Sequence, residues 1–183
     1  HNVRNADLLK LVLTSADPHV VQGAKTVKHW WGPADPANGE QEVEKEEEMK
    51  IIPGGVNDTP SLTEIRVNAI VEKIQYDVKK VELKAGKKVK LTFVNPDFMP
   101  HNLVITKPGT ADAVAAAAIA LGADGFKKQF LPESDDILHA TKLLEKGQTE
   151  ILEFNAPTEP GEYNFICTFP GHATLMRGIM IVK

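Results

Sequence analysis

From Glu64 onward, apolar and polar positions alternate with a period of two. Ile65, Val67, Ala69 and Val71 interleave with Glu64, Arg66, Asn68 and Glu72, the mark of a strand with one buried face. Tyr76 and Val78 continue the alternation, but Val81 and Leu83 resume it on the opposite parity, which predicts a bulge or bend between the two pairs. "KAGKK" is a turn, Val89, Leu91 and Phe93 mark the next strand, "NPDFMP" breaks it and "HNLVIT" opens another. Thr110 to Leu121 reads as a helix, with Thr110 as N-cap and Gly122 just past its end. Residues 123–136 carry no period. Strands return at 137–144 and 149–154, "PTEPGE" turns, and "YNFICTF" and "GIMIVK" are the last two strands. Seven or eight short strands with turn signals and one helical insertion predict a mainly β fold, a Greek-key β-sandwich.

The pattern differs upstream. Over residues 1–32 the period is helical: Leu8, Leu9, Val12 and Leu13 share a face, and Val20, Ala24, Val27 and Trp31 follow as a second stripe after the Asp17-Pro18 start signal. The two helices form a hairpin with little core of its own, so Leu11, Trp30 and Trp31 are expected to pack on something else. The hairpin resembles one unit of a HEAT-type helical repeat. Residues 33–62, rich in Pro, Gly and Glu, read as an acidic, solvated linker. The expected organisation is therefore a helical hairpin over 1–32, a linker over 33–62 and a β-domain over 63–183. A start at His1 rather than Met is expected of a processed form or a piece of a longer parent.

Composition narrows the function. Lys and Arg number 21 against 25 Asp and Glu, and the mixed net charge of −4 offers no footprint for nucleic acid. The apolar run "AVAAAAIAL" is nine residues long, too short for a transmembrane segment. One cysteine excludes an internal disulfide and leaves a buried thiol, a nucleophile or a metal ligand.

That cysteine lies in "CTFPGHATLM". Tyr163, Phe165 and Cys167 share parity, so the sulfur points to the core face at the end of a strand. The Phe-Pro-Gly turn folds back and brings His172 towards it, and Met176 follows one helical turn later. His101 opens a strand after the stiff Pro100. If that strand neighbours the strand of Cys167, two imidazoles and a thiolate form a trigonal set with Met176 as a weak axial group, the donor set of a mononuclear blue-copper site. The bland alternatives are a cysteine serving as a small hydrophobe and a methionine filling a gap. A Cys-His nucleophile is disfavoured by an inward-facing sulfur and by the expectation of no orienting acid nearby. Multicopper oxidases and copper nitrite reductases place histidine beside the loop cysteine; here the neighbours are Ile166 and Thr168.

"CTFPGHATLMRG" closely resembles the ligand loop of azurins, and "MPHNLVI" is similar to the first-histidine strand of azurins and auracyanins. "HATKLLEKGQTEILEF" fits the strand pair that precedes the loop. The resemblance covers about residues 64–183 and implies a cupredoxin with one type 1 copper per chain, held by His101, Cys167, His172 and Met176. It also implies supporting roles for Asn102 and Thr168, the asparagine tethering the two ligand loops. Pro100 stands where azurins have a glycine whose carbonyl lies close to the metal, and the azurin disulfide near the N-terminus is missing. The N-terminal helices have no azurin counterpart.

The implied function is one-electron transfer, not enzymatic conversion. The C-terminal ligand histidine is expected to reach the surface, within an apolar docking patch of Met99, Phe169, Pro170, Ala173 and Leu175. The expected partners are redox proteins such as cytochromes or dehydrogenases, met by transient contact. A periplasmic or extracytoplasmic location is implied by the same resemblance. The alternative is an electron-relay module at the C-terminus of a larger periplasmic or membrane-associated dehydrogenase. The N-terminal helices offer a surface for self-association or for an upstream domain.

Overall fold

The computed structural model describes residues 51–183. The helical hairpin expected over 1–32 and most of the expected linker lie outside the described residues. The elements run β1 (Gly55–Asp58), β2 (Thr63–Asn68), β3 (Lys80–Leu83), β4 (Lys88–Val94), β5 (Val104–Thr106), α1 (Ala111–Ala120), β6 (Ile137–Ala140), β7 (Thr149–Asn155), β8 (Gly161–Ile166) and β9 (Arg177–Val182). They form two sheets, one ordered β1-β2-β4-β7 and the other β3-β9-β8-β5-β6. β2 runs parallel to β4 and β3 parallel to β9, while the remaining pairings are antiparallel.

Alternation decides which residues meet between the sheets. Ile65, Val67, Leu91 and Phe93 from one sheet join Val81, Leu83, Tyr163, Phe165, Met180 and Val182 from the other in a single buried cluster. Cys167 and Met176 belong to that cluster. A smaller cluster of Val104, Ala111, Val114 and Ile166 packs α1 against the outer face of the second sheet. β8 is thus covered on both faces at its end: Phe165 serves the sandwich and Ile166 the helix. Full burial of side chains this size contributes about 1.5–3 kcal/mol each.

Several boundaries differ from the sequence pattern for identifiable reasons. The strand expected to reach Glu72 ends at Asn68, with Ala69 making one isolated bridge to Tyr76. Beyond it the Ile70 and Lys73 N–H groups close a turn, and Glu72 sits at φ 59°. The parity slip between Val78 and Val81 marks the crossing from the first sheet to the second. Gly55–Asp58, within the stretch expected as linker, pairs with β2 as an edge strand. The strand expected from His101 is regular only over Val104–Thr106, and the strand expected over 137–144 ends at Ala140. Between those short strands, His101 and Leu144 make one isolated bridge. Thr110 occupies the N-cap position of α1, but its hydroxyl donates to the Lys107 carbonyl (3.0 Å) rather than capping the helix.

Packing leaves no spare room where β8 meets β9. Phe165 pairs with Gly178, and a Cβ on Gly178 would stand 2.1 Å from the Phe165 ring. Gly178→Ala is therefore expected to lower stability by about 1–3 kcal/mol through overpacking, as a fall in the urea midpoint. An unchanged midpoint would show that the ring has room to move.

Candidate metal centre

Two loops at one end of the sandwich supply the site. The first follows β4. Asn95 organises it: its Nδ2 donates to the carbonyls of Met99 and Leu144 (both 2.8 Å), and its Oδ1 accepts from the Asp97 N–H (3.0 Å). These bonds make "NPDFMP" a compact turn and bring His101 to its bridge with Leu144. The second loop joins β8 to β9. Gly171, at φ 82°, takes the left-handed corner that glycine adopts without steric cost. His172 N–H then donates to the Phe169 carbonyl (3.0 Å), Met176 N–H to the His172 carbonyl (2.8 Å), and Cys167 N–H to the Met176 carbonyl (3.0 Å). The ends of the loop are thereby closed on each other.

The pairing of β5 with β8 sets His101 beside Cys167. Cys167 Sγ lies 3.8 Å from His101 Nδ1 and 3.7 Å from His172 Nδ1, and the two Nδ1 atoms are 3.2 Å apart. All three residues are buried. Every corner of such a triangle stands about 2.1 Å from its circumcentre, the length of a metal–imidazole or metal–thiolate bond. Two imidazole nitrogens this close need a cation or a proton between them. Met176 is fully buried alongside the cysteine in the same core cluster.

Burial sets the protonation of all three donors. Burial pushes the Cys167 thiol up to about 11, against backbone N–H groups of Asn102 and Phe169 that donate to the sulfur. Burial lowers His101, with Asp97 opposing. Burial, then the neighbouring His101, push His172 down to about 4. Both imidazoles are accordingly neutral at pH 7, as ligands must be.

Asp97 was not among the expected site residues. Its Oδ2 accepts from His101 Nε2 at 3.0 Å, which fixes the tautomer and aims the Nδ1 lone pair at the site. Burial opposes ionisation of Asp97, but the Glu72 N–H, His101 and the Phe98 N–H outweigh it and hold the carboxyl below its usual range. The signal available in sequence was an acid four residues before His101 in a Pro-flanked turn. An orienting acid is thus present after all, contrary to expectation. It does not make Cys167 a nucleophile, because the sulfur has no exposure and its proton is held tightly.

The loops are joined through Asn102. Its Oδ1 accepts from the Thr168 N–H and its Nδ2 donates to Thr168 Oγ1, both at 2.8 Å. Its carbonyl accepts from the buried Tyr76 hydroxyl at 2.6 Å. Pro100 is half-buried between the turn and His101. His172, expected to reach the surface, is 2% exposed, with the Phe169 ring 4.7 Å away between centroids. Met99, Pro170 and Leu175 are exposed, and Phe169 and Ala173 are half-buried.

The model of copper binding proteins of the plastocyanin/azurin family matches residues 63–183. Auracyanin-B of Chloroflexus aurantiacus is 35% identical over 138 residues, 71% of this chain and 57% of that protein, so the chain spans little more than half of this relative's length. Auracyanin-A of the same organism is 32% identical over 121 residues, 65% of this chain and 74% of its own. The solved structure of dithionite-reduced auracyanin from Roseiflexus castenholzii matches at a TM-score of 0.61 and 34% identity, covering 69% of this chain and 99% of that one. Azurins and auracyanins are electron carriers rather than enzymes, and the cofactor is one type 1 copper. The donor chemistry fits that ion, since thiolate and imidazole are the ligands copper favours. With most of its described residues matched by that model, the chain belongs to the plastocyanin/azurin family of copper-binding proteins.

Proposed function

We propose that this protein carries single electrons between redox proteins, with His101, Cys167 and His172 as the residues that would hold copper and Met176 as the further, weaker donor. The observation that carries this reading is the buried triangle of one sulfur and two nitrogens, with edges of 3.2 to 3.8 Å. Copper supplies the one-electron couple. The chain supplies a site held in place by its own contacts. Asp97 orients His101, the Asn102–Thr168 bonds lock the loops, and burial excludes water. Ligands held this way change position little between oxidation states, and the N–H bonds to the sulfur bias the couple.

The exposed apolar residues Met99, Pro170 and Leu175, with Phe169 and Ala173 behind them, form the docking surface of this reading. A small apolar patch suits a brief contact of low buried area. Cytochromes or dehydrogenases are the partner class, and a periplasmic or extracytoplasmic location belongs to the same proposal.

Cys167→Ser is expected to abolish the intense visible absorption of the copper-loaded protein; a variant that stays blue removes Cys167 as ligand. Copper binding at pH 7 is expected to release about one proton, because the thiol is the one ligand still protonated there. Apparent affinity should rise about tenfold per pH unit between pH 7 and 10, where only the thiol is protonated, and fall more steeply in acid, where the imidazoles also take up protons, His172 at about 4. A competition titration with no pH dependence would contradict the assignment. Leu175→Glu is expected to leave the spectrum intact and slow exchange with partner proteins roughly tenfold; stopped-flow rates equal to wild type would remove the patch.

A further inference from the structure

The corner that follows α1 has the least ordinary backbone among the described residues. Gln129 and Phe130 are adjacent and both left-handed, at φ 56° and 52°. For residues with a Cβ this conformation costs roughly 1–2 kcal/mol each, so surrounding contacts must hold it. Phe130 N–H donates to the Gly125 carbonyl (2.7 Å), Gln129 N–H to Phe126 (3.0 Å) and Leu131 N–H to Lys128 (3.0 Å). The Phe130 ring lies directly on Gly125, where a Cβ would meet Cε1 at 2.1 Å. Glycine at 125 is what lets the ring seat there.

The strained pair reaches two different places beside the sulfur. The Gln129 carbonyl accepts from Asn102 Nδ2 at 3.2 Å. The buried Phe130 ring meets the Phe169 ring edge-on, with centroids 5.1 Å apart and planes at 67°. Asn102 and Phe169 are the residues whose backbone N–H groups donate to Cys167 Sγ, and they come from opposite ligand loops. A helix serving stability alone would need its apolar contacts with β8, which Val114 and Ala111 already make. It would not need a left-handed corner aimed at the residues beside the sulfur.

We infer that the Gly125–Phe130 corner is a positioning element for the metal centre, bracing both N–H donors to the Cys167 sulfur and so setting the reduction potential. The inference rests on the proposed role of Cys167 as copper ligand. Hydrogen bonds to an ionised acceptor are directional and stronger than neutral ones, so a small displacement of either donor weakens them. Weaker bonds leave the thiolate more electron-rich, which favours the oxidised ion and lowers the potential.

The test compares copper-loaded wild type with Phe130→Ala and Gly125→Ala, read by voltammetry and by the visible sulfur-to-copper band. Both variants should remain blue. At a fixed mediator poise their ratio of oxidised to reduced protein should rise about three- to tenfold, the effect of weakening one hydrogen bond to a charged group. The visible band should shift, and the amides of Asn102 and Phe169 should exchange faster. Val114→Ala, which loosens α1 away from the corner, should lower the melting temperature without moving the potential. Should Phe130→Ala not fold, Phe130→Leu and Gly125→Ala decide on the same readings. Corner variants that lose only thermal stability overturn the inference, as does an equal shift in Val114→Ala. A wild type that stays colourless with copper overturns the ligand assignment and the inference together; a blue wild type with unmoved variants overturns the inference alone.

Discussion

The side-chain amide of Asn102 holds together two loops that no covalent bond joins. His101 sits on one loop, Cys167 and His172 on the other, and the donors converge only if the loops keep register. Asn102 meets that need with both ends of its amide, accepting from the Thr168 N–H and donating to Thr168 Oγ1. Each bond contributes a net of about 0.5–1.5 kcal/mol. The larger effect is the penalty for breaking them, since the amide is buried and water cannot replace the lost partner. The Tyr76 hydroxyl, donating to the Asn102 carbonyl, extends the lock into the sandwich core.

Electrostatics complete what the lock begins. Three donors withdrawn from water resist charge, so both imidazoles stay neutral and the thiol keeps its proton until a cation replaces it. Asp97 is an ionised group set directly against His101. It is held there by N–H groups of Glu72 and Phe98 as well as by His101. The left-handed Glu72 thus has a function in the site: it points its N–H at Asp97 Oδ1 from a turn between the two sheets. Water is excluded from a polar cluster whose hydrogen bonds are satisfied internally.

Chain-local signals made much of this legible. The two-residue period located β2, β4, β7, β8 and β9 because each has one face on the core. The parity of Tyr163, Phe165 and Cys167 placed the sulfur inward, and the cysteine, histidine and methionine of "CTFPGHATLM" lie close enough in sequence for one turn to gather them. His101 could be named because a proline-bounded break precedes it. Edges were less legible. β1 carries little apolar residue and is exposed throughout, so no period marks it. Val71 continued an alternation that the turn at Glu72 cut short.

The sequence by itself determined the sandwich, the residue types at the site and the inward sulfur, since those follow from periodicity and short spacing. Tertiary structure decided what depends on distant chain segments meeting. It set Asp97 on His101, drew Tyr76 and Gln129 to Asn102, and hid the His172 ring beneath Phe169. Hydrogen bonds between such segments leave no periodic trace, because direction and distance in space carry them, and only the folded chain fixes those.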